Sequence, residues 1–203
     1  VDDTTVWYGN WPIVAPNDDF DHATVLDGPR TDTYMTSDAI VAFDDPVIPL
    51  EAGTVGTTVW YKVRSPRPAR LDVWSRESNA AFGVYTGSRG RLVKVAYSGA
   101  VAGAIEPVPI QADVTYYVMA AMPTSFGAVQ FDVNIGLTPD NDLFTGATVI
   151  TAPYESPEID MRFATTDAVP ACQGEDSLRL WYAVTFPTNT CFRVVAETGA
   201  VDL

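Results

Sequence analysis

Thr57-Thr-Val-Trp-Tyr-Lys-Val-Arg-Ser-Pro-Arg-Pro-Ala-Arg-Leu-Asp-Val-Trp74 is two runs of alternating apolar and polar residues separated by Pro66-Arg67-Pro68. That is a strand–turn–strand signature. Proline lacks the N–H that a central ladder needs and fixes φ, so the proline trio marks the turn. Centring the turn on Arg67 predicts a hairpin in which Tyr61 faces Val73 and Val63 faces Leu71 on an apolar, buried face. On the other face Trp60 would meet Trp74, Lys62 would meet Asp72, and Arg64 would meet Arg70.

The same skeleton returns in Leu180-Trp-Tyr-Ala-Val-Thr-Phe-Pro-Thr-Asn-Thr-Cys-Phe-Arg-Val194, with Trp181 standing 121 residues after Trp60. A second block also repeats. Asn17-Asp-Asp-Phe-Asp-His-Ala-Thr-Val-Leu26 matches Asn141-Asp-Leu-Phe-Thr-Gly-Ala-Thr-Val-Ile150, 124 residues later. Two blocks recurring in the same order argue for an internal duplication on the scale of a whole domain.

Composition narrows the class. Of 203 residues 47% are apolar and 11% aromatic, fifteen are proline, and no long segment keeps a helical period. Ample core material with scattered prolines argues for an all-β chain. Strands are predicted at Ala23–Leu26, Ile40–Phe43, Thr58–Ser65, Ala69–Ser75, Phe82–Tyr85, Leu92–Tyr97, Thr115–Ala121 and Ala128–Ile135. Turns fall at Asp27-Gly-Pro, Thr86-Gly-Ser-Arg-Gly and Ser125-Phe-Gly. Eight short strands at this spacing read as an antiparallel β-sandwich or jelly roll.

The expected organisation is therefore a lead-in arm over residues 1–15, a complete sandwich over 16–137, and a partial second sandwich over 138–203. The lead-in holds Thr4-Thr-Val-Trp-Tyr8, the same five letters as Thr57–Tyr61. By the 121-residue offset Leu203 aligns with Phe82, while the first copy runs on to Ile135. A further polypeptide segment of about 53 residues, or another chain, is expected to complete the second copy, because half a sandwich exposes its core and edges.

The net charge is −14 and the sequence pI about 4.2, a balance that repels phosphate backbones and argues against nucleic acid. No apolar run approaches the roughly eighteen residues of a membrane span. Only Arg30 is basic among the first 61 residues, while eight of the twelve Lys and Arg lie between Lys62 and Lys94.

Asn17-Asp-x-Phe-x-x-Ala23, Thr58-Val-Trp-Tyr-Lys-Val63, Phe82-Gly-Val-Tyr-Thr-Gly87 and Ala112-Asp-Val-Thr-Tyr-Tyr-Val118 occur in order. Together they resemble the bacterial pre-peptidase C-terminal (PPC-like) domain family, which is similar to the collagen-binding modules of secreted collagenases. Asp44-Asp-Pro-Val47 and Pro107-Val-Pro109 have no counterpart in that pattern. The resemblance implies tandem β-sandwiches belonging to secreted proteases, surface proteins or actinobacterial phage tail proteins. It further implies an extracellular setting (secreted, cell-surface or on the virion) and a binding or adhesion role rather than catalysis. An accessory region of a secreted hydrolase, with its catalytic domain elsewhere, is the second reading, and a self-contained enzyme the third.

The residues themselves give catalysis little to work with. His22 is the single histidine, and the second copy places Gly146 at its position. No Gly-x-Ser-x-Gly, HExxH or phosphate-cradling glycine loop occurs. Asp18, Asp19 and Asp21, with Asp140 and Asp142 in the second copy, are candidate calcium ligands, and the modules this chain resembles bind calcium near their N-terminal linker. Asn and Asp are also ordinary turn formers. Cys172 and Cys191 are a candidate disulfide, at a count and spacing unsuited to zinc. The predicted outward face, Trp60, Trp74, Arg64 and Arg70, is the candidate binding surface. Flat rings beside arginines suit a glycan, a matrix-like peptide or other protein subunits and domains. The competing reading is that a loop or the neighbouring copy covers the tryptophans.

Overall fold

The computed structural model describes residues 14–48, 55–77, 79–98, 103–123, 130–159, 161–165, 178–189 and 191–195. The chain divides into two compact units, Val1–Thr138 and Pro139–Leu203.

The first unit is an all-β sandwich. One sheet, sheet A, runs in the order β1 (Thr24–Leu26), β3 (Val55–Arg64), β8 (Thr115–Pro123), β5 (Ala81–Ser88), β6 (Arg91–Tyr97). Sheet B runs β2 (Arg30–Met35), β9 (Gln130–Leu137), β4 (Ala69–Trp74), β7 (Ala104–Ile110). Short β1 lies parallel to β3, and every other pairing in this unit is antiparallel. Period-two alternation supplies the core. Val59, Tyr61, Val63, Phe82, Val84 and Val118 point in from sheet A, and Leu71, Val73, Phe131, Val133 and Ile135 from sheet B. Burying each such side chain contributes about 1.5–3 kcal/mol.

The two runs around Pro66-Arg67-Pro68 do not form the predicted hairpin. β3 belongs to sheet A and β4 to sheet B, so the proline turn crosses from one sheet to the other. Trp60 pairs in register with Met119 rather than Trp74, Lys62 with Tyr117 rather than Asp72, and Arg64 with Thr115 rather than Arg70. The apolar faces were correctly placed, since Tyr61, Val63, Leu71 and Val73 all lie in one core. They meet across the sandwich instead of side by side within one sheet. Alternation reports which face a residue takes and leaves open whether the turn folds within a sheet or between sheets. Pro66 and Pro68 have no N–H to start a ladder beside the turn, and Ser65 instead accepts from Asp113 N at 2.8 Å.

The predicted strand at Ile40–Phe43 is a loop, with Ile40 and Phe43 strongly exposed. Its backbone is tied to β3 by side chains: Thr57 Oγ1 donates to Thr36 O at 2.7 Å and Thr58 Oγ1 to Ile40 O at 2.9 Å. Two strands had no forecast, β2 and β7. β7 carries Pro107 and Pro109 at the edge of sheet B, where a missing N–H breaks no ladder. The turn predicted at Thr86–Gly90 joins β5 to β6, and Gly87 there has φ +105°, with an added Cβ falling 2.5 Å from Arg91 O.

The outer faces of the two sheets differ. Over sheet A lie a 3-10 turn at Phe20–His22 and the loop through Ile48. Phe20, Ala23 and Ile48 bury Trp60, Ala81, Tyr85, Met119 and Ala121 beneath them. The outer face of sheet B is polar.

The second unit repeats the opening of the first. β10 (Thr148–Ile150) pairs parallel with β11 (Tyr182–Val184), matching Thr148 to Tyr182 as β1 matches Thr24 to Tyr61. Trp60 N donates to Asn17 O and Asn17 Nδ2 returns a bond to Trp60 O, at 2.8 and 2.9 Å. Trp181 N and Asn141 Nδ2 repeat the bracket at 2.8 and 3.1 Å. Phe20 meets Trp60 edge-on at 5.1 Å, and Phe144 meets Trp181 edge-on at 5.1 Å. Phe192 and Val194, predicted as the return strand, lie in irregular backbone, where Phe192 stacks on Phe186 at 5.4 Å.

Candidate functional site

The four residues predicted to share one face are dispersed. Trp60 is fully buried under the Phe20 turn, and its indole N–H donates to Asp45 Oδ1 at 3.0 Å. Asp45 also accepts from Thr58 Oγ1 at 2.6 Å and Ala42 N at 2.9 Å. This is the covering loop weighed against a ligand role, and it gives the Asp44-Asp45 segment its place. Arg64 ends β3 and pairs with Asp113 at 3.0 Å in solvent. Trp74 and Arg70 remain together, both half-buried on the outer face of sheet B.

That face follows from alternation. Leu71 and Val73 point into the core, so Arg70, Asp72 and Trp74 point out. Phe131, Val133 and Ile135 likewise turn Asp132 and Asn134 outward, and their β2 partners Thr33 and Thr31 lie beside them. Asn134 sits opposite Trp74 in register. Thr31 Oγ1 donates to Asn134 Oδ1 at 2.8 Å, and Thr33 Oγ1 to Asp132 Oδ1 at 2.7 Å. Glu77 Oε2, which accepts from Ser75 Oγ, also takes the Asp132 N–H at 2.9 Å. The result is a largely polar sheet face carrying, among the described residues, one indole, with buried Asn134 and half-buried Asp132 held by cross-strand bonds. Burial pushes the Asp72 carboxyl up to about 6; the Val73 N–H and Arg70 oppose the shift and Glu106 reinforces it. Asp132 and Asn134 were legible in Phe131-Asp-Val-Asn-Ile135, an alternation that sequence reading used only to place a strand. Thr31 and Thr33 carried no such signal, since β2 has little apolar patterning.

The predicted calcium carboxylates have other partners. Arg89, on the β5–β6 turn, donates to Asp19 at 2.8 and 3.0 Å, to Asp21 at 2.7 Å and to Asp44 at 2.6 and 3.0 Å. Its hydrogen bonds hold the Asp19 and Asp44 carboxyls below their ordinary range. Asp18 Oδ1 accepts from Ile40 N at 2.5 Å, and in the second copy Asp142 accepts from Thr165 N and Oγ1 at 2.5 and 2.6 Å. Among the described residues no three His, Cys, Asp or Glu side chains converge as a metal cage. The carboxylates of Asp19, Asp21 and Asp44 are gathered around the Arg89 guanidinium.

The remaining candidates are peripheral. His22 is exposed, with Nδ1 4.0 Å from Asp19. Cys191 is an exposed free thiol, and Cys172 lies outside the described residues. A cleft of about 160 Å³ between Leu26, Arg64 and Leu137 is smaller than the ~300–1,000 Å³ that small-molecule sites occupy. Among the described residues no helix is long and apolar enough to cross a membrane.

No protein-family model and no curated protein sequence matches the chain. In three dimensions it is similar to the pre-peptidase C-terminal domain of collagenase from Bacillus anthracis, at 13% identity and TM-score 0.36, over 56% of this chain and 93% of that one. It is also similar to PliG, a periplasmic inhibitor of g-type lysozyme. The Aeromonas hydrophila protein matches at 10% identity and TM-score 0.37, over 57% of this chain and 95% of that one. The Salmonella Typhimurium protein matches at 9% and 0.33, over 57% and 97%. At these values the likeness carries no argument about activity.

Proposed function

We propose that this chain is a non-enzymatic binding module of a larger secreted, cell-surface or virion protein, and that it engages its ligand with the outer face of sheet B. One observation carries the reading: the chain seals one outer face with its own Phe20 turn, while on the other, among the described residues, Trp74 stays half-buried beside Arg70, Asp72 and Asp132. The indole offers a flat apolar surface for stacking. Asp72 and Asp132 offer half-buried acceptors, and Arg70 a cation. A glycan, with apolar ring faces and equatorial hydroxyls, fits this pairing. An extended peptide meeting the same face is the protein-partner form of the proposal.

Glycan and peptide arrays probed with the full chain test this. The expected result is retention of a defined ligand class, with Trp74→Ala weakening it at least tenfold while thermal unfolding stays cooperative. Unchanged binding by a folded Trp74→Ala chain overturns the assignment to this face.

A further inference from the structure

Each sheet of the sandwich has two outer edges, and three of the four are blunted by a short strand, an inward charge or prolines. β1 is only three residues long. β2 turns Asp32 inward, where Tyr61 Oη donates to it at 3.1 Å. β7 has Pro107 and Pro109. Short strands, inward charges and prolines all blunt an edge.

β6 is different. It spans seven residues without proline, with one bulge at Val95 where its ladder to β5 shifts register, and among the described residues nothing pairs with its outer side. Val93, Val95 and Tyr97 are 62%, 42% and 45% exposed. Its charged side chains, Arg91 and Lys94, are both exposed and both positive, in a chain of net charge −14. The Lys94 ammonium is held 4.3 Å from the Tyr97 ring centroid, beside the edge. Ser98 N donates inward to Phe82 O, so by strand alternation the Tyr97 N–H and C=O point outward.

We propose that β6 accepts an extended, acidic strand of a partner protein by β-addition. Backbone bonds to the free edge supply affinity, and Arg91 and Lys94 select the sign of the incoming strand. The same two charges disfavour a symmetric pairing of two copies relative to an acidic strand. β6 against β6 brings Arg91 and Lys94 only against each other or against neutral residues, and like charges directly opposed are destabilising. This surface is separate from the sheet B face, and the two stand or fall independently.

The test uses the full chain, isotope-labelled, and a ten-residue synthetic peptide alternating glutamate with valine or threonine. The expected result is saturable amide shifts concentrated in residues 91–97. Affinity falls at least tenfold for the lysine-for-glutamate peptide, for the Arg91→Glu/Lys94→Glu double variant, and for the acidic peptide N-methylated at alternate residues. No binding overturns the proposal, as do shifts centred elsewhere. Equal binding of the N-methylated peptide also overturns it, because charge attraction without backbone pairing would then suffice.

Discussion

Trp60 and Trp74 look alike in sequence, each on the polar phase of an alternating strand, and the structure gives them opposite lives. Trp60 lies under Phe20, with Asp45 taking its N–H. Trp60→Ala should cost about 3–5 kcal/mol in urea unfolding, the range for emptying a large buried aromatic site. Trp74→Ala should cost under about 1.5 kcal/mol, since the ring is only partly covered. The difference was not legible because what covers Trp60 comes from Phe20 and Asp45, remote in sequence and carrying no periodic signal. Asp72 supplies a pH test. Its folded pKa of about 6 stands above the ordinary 3.8, so between those values the folded state holds a proton that the unfolded chain releases. Stability therefore falls as pH rises through that window and stays lower above it. Asp72→Asn should be more stable than the parent at pH 7.5, by on the order of 1 kcal/mol after discounting for solvent screening. The two should unfold alike near pH 3.5.

At the scale of elements, seven of eight predicted strands lie where alternation put them, and the two strands that went unforecast share a cause. Alternation detects a strand with one wet and one dry face. β2 has only Tyr34 turned to the core and Asp32 beside it, and β7 is interrupted by prolines, so neither shows the pattern. Ile40–Phe43 has the composition of a strand but is anchored by Thr57 and Thr58 hydroxyls instead of a ladder. The β5–β6 turn is fastened to the Phe20 turn and to Asp44 through Arg89. The carboxyls of Asp19 and Asp44 are depressed by Arg89, so this stabilisation is present above the ordinary carboxylate value and lost as pH falls through the depressed one. Arg89→Gln should lower the melting temperature at pH 7, with the difference closing in acid and shrinking in high salt. Scanning calorimetry at several pH values reads both effects.

For the molecule as a whole, duplication was the most legible property, because it needs only matching letters. The structure adds its geometry: the Asn–Trp bracket, the edge-on Phe and the parallel strand pair occur in both units. Asn17 is buried, holds Trp60 O and accepts from Tyr34 Oη at 3.0 Å. Asn17→Ala strands those partners and should cost the first unit about 1–3 kcal/mol. Asn141→Ala should leave the first unit's hydrogen-exchange protection unchanged. Measuring amide exchange in both variants assigns each loss to its own copy.

The proline crossing between β3 and β4 also bears on how the chain comes to be folded. A hairpin there would have given a local nucleus, complete once eighteen residues existed. With the two strands in opposite sheets, β3 waits for β8, and β4 for β7 and β9. β9 finally joins β2 to β4, pairing Arg30 with Ile135 across most of the unit. Loop closure on that scale comes before its contacts can reward it, which makes for slow folding. During synthesis the sandwich stays open until residue 137 has left the ribosome, and among its described strands only β5 and β6, consecutive in the chain and paired, can close early.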